Sequence, residues 1–146
     1  MFRGIAISLI LWWIPASAGQ LCNLTGMWLN DLGSALQIYP SSTADIQGSF
    51  TSVVKLGERG PGSPLKGRVS GVMSSGPLPT FGFSVSWEKG TTTSWVGQCF
   101  PIMDGHPGHQ MLKTLWLLRS PAEAPEDTWQ STRIGEDTFY KVPDTM

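Results

Sequence analysis

Thr80 to Phe100 reads TFGFSVSWEKGTTTSWVGQCF, and its alternation decides the fold. At period two, Phe81, Phe83, Val85 and Trp87 share one face while Gly82, Ser84 and Ser86 share the other, the pattern of a half-buried strand. Glu88-Lys89-Gly90 marks a turn. The pattern then returns with Thr91, Thr93, Trp95, Gly97 and Cys99 on a common face, which predicts a β-hairpin. Two indoles and two threonine hydroxyls meet at one end of it. The hairpin alone leaves a plain core open, yet apolar walls with a few placed polar groups are what a small-molecule pocket uses.

Working outward, no window of the chain carries a long apolar stripe at helical period, charged residues make up only 14%, and Gly, Ser, Thr and Pro are frequent. The reading is all-β. The 146 residues suit one domain with a real core. Met1-Phe2-Arg3, the apolar run Ile5 to Ile14, Pro15 and Ala16-Ser17-Ala18 form a secretory leader over residues 1–18, leaving 19–146 as the mature domain. The run is too short to span a membrane. Ten Lys and Arg face eleven Asp and Glu, and cleavage would remove Arg3 and leave a net charge of −2, which excludes an electrostatic nucleic-acid binder. The chain is expected to be extracellular, with neither a membrane nor a nucleic acid as partner. Its two cysteines, Cys22 and Cys99, are most simply one disulfide in such a compartment. Asn23-Leu24-Thr25 is an N-x-T sequon and offers a glycosylation site.

Along the mature chain, Leu24, Gly26, Trp28 and Asn30 alternate before a turn at Asp31-Leu32-Gly33-Ser34, and Ser34, Leu36 and Ile38 follow as a second strand. A third strand turns Ile46, Gly48, Phe50, Ser52 and Val54 inward. Residues 57–64, GERGPGSP, are punctuated as a loop, and Leu65 to Val72 is a weaker strand. Asp104, His106 and His109 fall close together in PIMDGHPGH, but without a fourth ligand or a regular frame they read as solvated loop histidines and not as a metal centre. In Met111 to Ser120, Leu112, Thr114, Trp116 and Leu118 point inward while Leu115 and Leu117 make the outer face apolar too, so another subunit is expected to cover it. Trp129 follows an acidic, proline-bearing loop and is expected to reach outside its own domain. The last strand, Thr132 to Tyr140, puts Arg133, Gly135, Asp137 and Phe139 on one face; Arg133 is expected to stack on Trp28 at the closed end, leaving Asp137 toward the open end.

WLNDLGS (Trp28 to Ser34), PTFGFSVSW (Pro79 to Trp87), GQCF (Gly97 to Phe100), LKTLWLLRS (Leu112 to Ser120) and TRIG (Thr132 to Gly135) together resemble the avidin family, in order across nearly the whole mature chain. The resemblance implies an eight-stranded antiparallel up-and-down β-barrel, assembled as a homotetramer, that holds biotin as a ligand without chemistry on it and uses no cofactor. It implies that Asn30 and Ser34 donate to the ureido oxygen, that Ser52 and Asp137 accept from the ureido nitrogens, and that Thr93 approaches the sulfur. Trp87, Trp95 and Trp116 would box the bicyclic ring, and Trp129 would lid a neighbour's pocket. Val54 and Leu118 complete the inward set, and Thr91 is the expected ligand of the biotin carboxylate.

Departures accompany the matches. Phe50 stands where family members carry a tyrosine donor to the ureido oxygen, and Asp137 stands where some carry asparagine. Lys55 replaces part of a threonine-rich run at the carboxylate end; it would reach the carboxylate only by turning in from an outward register. Glu136 lies beside Ile134 on the face through which the family packs its barrels, so repulsion between symmetry-related glutamates is expected to loosen the assembly at neutral pH. A lipocalin-like carrier of a hydrophobic molecule is the rival reading, and the inward Asn30, Ser34, Ser52, Thr93 and Asp137 oppose it. No catalytic set shares a face, so no enzyme is expected.

Overall fold

A computed structural model describes residues 21–53 and 65–144. The expected leader, Val54, Lys55 and the 57–64 loop lie outside the described residues. Eight strands run β1 (Gly26–Asn30), β2 (Ala35–Ile38), β3 (Asp45–Ser52), β4 (Leu65–Met73), β5 (Thr80–Ser86), β6 (Thr92–Pro101), β7 (Gln110–Arg119) and β8 (Thr132–Lys141). Each pairs antiparallel with the next, and β8 returns to β1, closing the barrel. Among the described residues the only helical pieces are 3₁₀ turns at Glu88–Gly90 and Pro125–Gln130.

Alternation sets the inside as the sequence predicts. Trp28, Leu36, Ile46, Phe50, Val69, Phe83, Val85, Leu112 and Phe139 are all buried. Phe83 lies opposite Trp95, and Val85 opposite Thr93, so the hairpin faces itself as its period requires. The Cys22–Cys99 disulfide is formed, and it ties the segment ahead of β1 to the far half of β6 across a sequence separation of 77.

The closed end differs from expectation. β8 meets β1 with Lys141 opposite Trp28, and the Lys141 Nζ sits 5.2 Å from the indole centroid while donating to the Asn23 carbonyl at 2.6 Å. The cation over Trp28 is therefore Lys141 and not Arg133. Arg133 lies opposite Leu118 at the other end of β8, on the rim of the mouth, with Asp137 further along the same face of the strand, opposite Thr114. Arg133 and Asp137 share one face of β8 as expected, but the strand runs the other way, with its Arg133 end at the mouth. The Trp28 Nε1 proton goes to the Leu24 carbonyl at 2.9 Å, so the buried indole has no unpaired donor.

Candidate functional site

The mouth encloses a cavity of about 260 Å³. That is just below the usual range of ligand pockets, roughly 300–1,000 Å³, and suits a compact molecule better than a lipid chain. Asn30, Ser34, Phe50, Ser52, Trp87, Thr91, Trp95, Trp116, Leu118 and Asp137 line it, all of them expected from the sequence. Leu32, Leu65, Glu88, Lys89 and Arg133 line it as well and were not expected. Most of these sit in or next to turns, where strand alternation gives no direction. Arg133 had the inward signal but was placed at the wrong end.

The polar wall is oriented by the protein's own backbone. Asn30 Oδ1 accepts from the N–H groups of Leu32 at 3.1 Å and Ser34 at 2.9 Å. Its amide NH₂ is then the end left to face inward. Ser34 Oγ accepts from the Val53 N–H at 3.1 Å, which leaves the hydroxyl proton to be donated elsewhere. Two donors are thus aimed from the β1–β2 turn.

On β8, the strand next to β1, stands Asp137, with Oδ2 accepting from Trp95 Nε1 at 3.0 Å. Burial pushes the Asp137 carboxyl above the ordinary carboxylate range, and hydrogen bonds from Trp95 and Asn30 pull it back in part. Asp31 adds a small upward push. Thr114 Oγ1 donates to the Asp137 carbonyl at 2.8 Å and holds this part of β8 in place.

The apolar wall depends on close approach. Phe50 stacks on Trp95 with centroids 4.8 Å apart and meets Trp87 edge-on at 5.7 Å. Trp116 lies over Gly135, where an added Cβ would overlap the indole ring; Gly67 likewise leaves room for Val85 and Trp87. Trp87 Nε1 donates to Thr93 Oγ1 at 2.9 Å. Thr93 is buried and does not itself line the cavity, so it reaches the site through Trp87. Trp129, 79% exposed in the turn before β8, takes no part in this cavity.

The β-barrel mouth, the donor pair and the tryptophan box now stand together, and the comparisons with known proteins decide the family. The Avidin family model matches residues 18–142. The chain belongs to the avidin family. Avidin of Gallus gallus is 37% identical over 131 residues, covering 88% of this chain and 84% of its own, and avidin-related protein 4/5 of the same organism is 34% identical over a similar span. Among solved structures, Xenavidin superposes with a TM-score of 0.73 at 37% identity, over 84% of this chain and 100% of its own. A biotin binding protein from chicken superposes with a TM-score of 0.74 at 34% identity, over 85% of this chain and 99% of its own. The expected avidin fold, an eight-stranded closed antiparallel barrel, is the one observed.

Proposed function

We propose that this chain binds biotin non-covalently, as a carrier and not as an enzyme, with the bicyclic ring in the barrel mouth. The observation that carries the reading is the set of polar groups gathered in the mouth: Asn30 amide and Ser34 hydroxyl as donors, with the Asp137 carboxylate next to Asn30 as acceptor. A cyclic urea is the complement of that arrangement, with one oxygen to accept and N–H groups to donate. Ser52, which also lines the cavity, supplies the second acceptor. Membership of the avidin family supports the same ligand. Leu118 and Trp116 then cover the ring, and Thr91 at the rim takes the carboxylate.

Calorimetric titration of biotin into the mature protein, beside Phe50→Tyr, tests this reading. Phe50 already lies against Trp95 and Trp87, so a tyrosine ring fits the same slot and adds one donor for the ureido oxygen. The variant is expected to bind about 1 to 3 kcal/mol more tightly, roughly 5- to 150-fold. No binding by either protein would exclude biotin as the ligand; equal binding would show that another group already serves the oxygen.

The assembly we propose is a homotetramer. Its support is the outer face of β6, β7 and β8, where Val96 lies opposite Leu115 and Leu117 opposite Ile134, and all four are more than half exposed. Such a contiguous apolar field is a cost in a monomer and a ready contact in an oligomer. Glu136 lies opposite Leu115 within it. Sedimentation equilibrium is expected to give four subunits, with weaker association at neutral pH than in acid; a monomer at micromolar concentration would overturn the assembly, and a pH-independent tetramer would remove the role of Glu136. Trp129 is proposed to lid a neighbour's pocket within that tetramer. Secretion after cleavage at Ala18, with a glycan on the exposed Asn23, completes the reading; the family match beginning at residue 18 and the formed disulfide support the compartment.

A further inference from the structure

The loop between β6 and β7 is built more tightly than its composition suggests. The Ile102 N–H donates to the His109 carbonyl at 2.7 Å, so the hairpin is closed at its base directly beyond the two strands. Gly105 and Gly108 take φ of 81° and 89°, left-handed values that help the chain reverse direction within this short loop. The His106 N–H donates to Asp104 Oδ1 at 3.0 Å, fixing the carboxylate against the turn. His109 Nδ1 lies 2.7 Å from Asp104 Oδ2, His106 Nδ1 lies 3.7 Å from Asp104 Oδ1, and the two imidazoles stack with centroids 5.0 Å apart at 14°. The frame that the sequence did not reveal is therefore supplied by the hairpin itself.

We infer that Asp104, His106 and His109 form a surface site for a borderline divalent transition metal, Zn²⁺ or Cu²⁺. One candidate ligand atom from each residue lies within 4.8 Å of the other two. Zn–N and Zn–O bonds of about 2.0–2.2 Å place tetrahedral ligand atoms roughly 3.3 Å apart, so side-chain rotation closes the gap without moving the backbone. The donor set decides the class of metal. Two imidazoles suit Zn²⁺ and Cu²⁺, whereas Ca²⁺ and Mg²⁺ prefer all-oxygen cages. One carboxylate offsets one of the two positive charges, and the remaining positions stay open to water because all three residues are exposed. His109 now shares a hydrogen-bonding proton with Asp104, and the metal takes that proton's place. The loop follows the far end of β6, away from the mouth at Thr92, so this site and the biotin cavity do not overlap.

Calorimetry on metal-stripped, untagged protein in a non-coordinating buffer tests the inference with ZnCl₂, CuCl₂ and, as the hard-cation control, CaCl₂. One Zn²⁺ or one Cu²⁺ per subunit is expected, with Cu²⁺ the tighter as the Irving–Williams order requires. His106→Ala, His109→Ala and Asp104→Asn are each expected to weaken Zn²⁺ binding by more than about tenfold, the loss that even an outer-shell partner causes. All three sit in an exposed loop, and biotin titration checks that each variant remains folded. Absence of saturable Zn²⁺ and Cu²⁺ binding overturns the inference. So does Zn²⁺ binding that survives all three substitutions, or Ca²⁺ bound as tightly as Zn²⁺.

Discussion

Replacing Cys22 and Cys99 together by alanine is expected to lower the thermal midpoint of the unliganded protein by about 12–16 °C, while leaving biotin affinity within about twofold of the parent. Both sulfurs are fully buried, and the bond joins positions separated by 77 residues. On the chain-entropy model a loop of that length contributes about 4 kcal/mol, and each kcal/mol moves the midpoint of a domain of this size by roughly 3–4 °C. Alanine is the better test than serine, because a hydroxyl at either site would be buried without a ready partner. Cys99 lies opposite Leu112, deep in the closed half of the barrel, so the mouth is expected to keep its geometry. Differential scanning calorimetry at matched protein concentration reads the first effect and biotin titration the second. A midpoint shift below about 3 °C would mean that Leu24 and Trp28 hold the leading segment by packing alone.

Asn30→Leu is expected to weaken biotin binding by about 4 kcal/mol, roughly a thousandfold. The side chain has three tasks at once. Its Oδ1 satisfies the Leu32 and Ser34 N–H groups, its amide steadies Asp137, and the same amide is a proposed donor to the ureido oxygen. Leucine has the same branched skeleton and none of these polar groups, so the β1–β2 turn loses the acceptor that aims Ser34 as well. Asn30→Asp separates the tasks: it retains the acceptor for the turn, removes the donor, and sets a second carboxylate beside Asp137. The aspartate variant is expected to keep the parent's thermal midpoint in the absence of ligand more nearly than leucine does, yet to bind as poorly or worse. If Asn30→Leu binds within threefold of the parent, the ureido oxygen is not held at this turn.

Strand period carried the fold and most of the pocket, because in a closed barrel alternation is the same thing as inside and outside. Phe81, Phe83, Val85, Thr93 and Trp95 were legible for that reason, and all five are buried as read. Period two says nothing about polarity along the axis. Arg133 and Lys141 share one face of β8, and only the register against β1, with Lys141 opposite Trp28, decides which cation reaches the closed end. Turn residues escaped for a related reason: Leu32, Glu88 and Lys89 overhang the cavity through local backbone geometry, including φ of 70° at Lys89, that no alternation encodes. Asp104, His106 and His109 were seen as a group, but the closure of their loop depends on the pairing of Pro101 with Gln110 at the end of the β6–β7 ladder.

Closure of β8 onto β1 has a further consequence. Each of the eight strands has a neighbour on both sides, so the described barrel presents no open row of backbone N–H and C=O groups along a sheet edge. A second chain cannot join by adding a strand; it can attach only through side chains. The exposed Val96, Leu115, Leu117 and Ile134 therefore work as shape-selective contacts and not as a seed for runaway sheet growth. A protein this apolar on its outside can remain a finite particle because its own first and last strands have already consumed the bonds that a fibril would need.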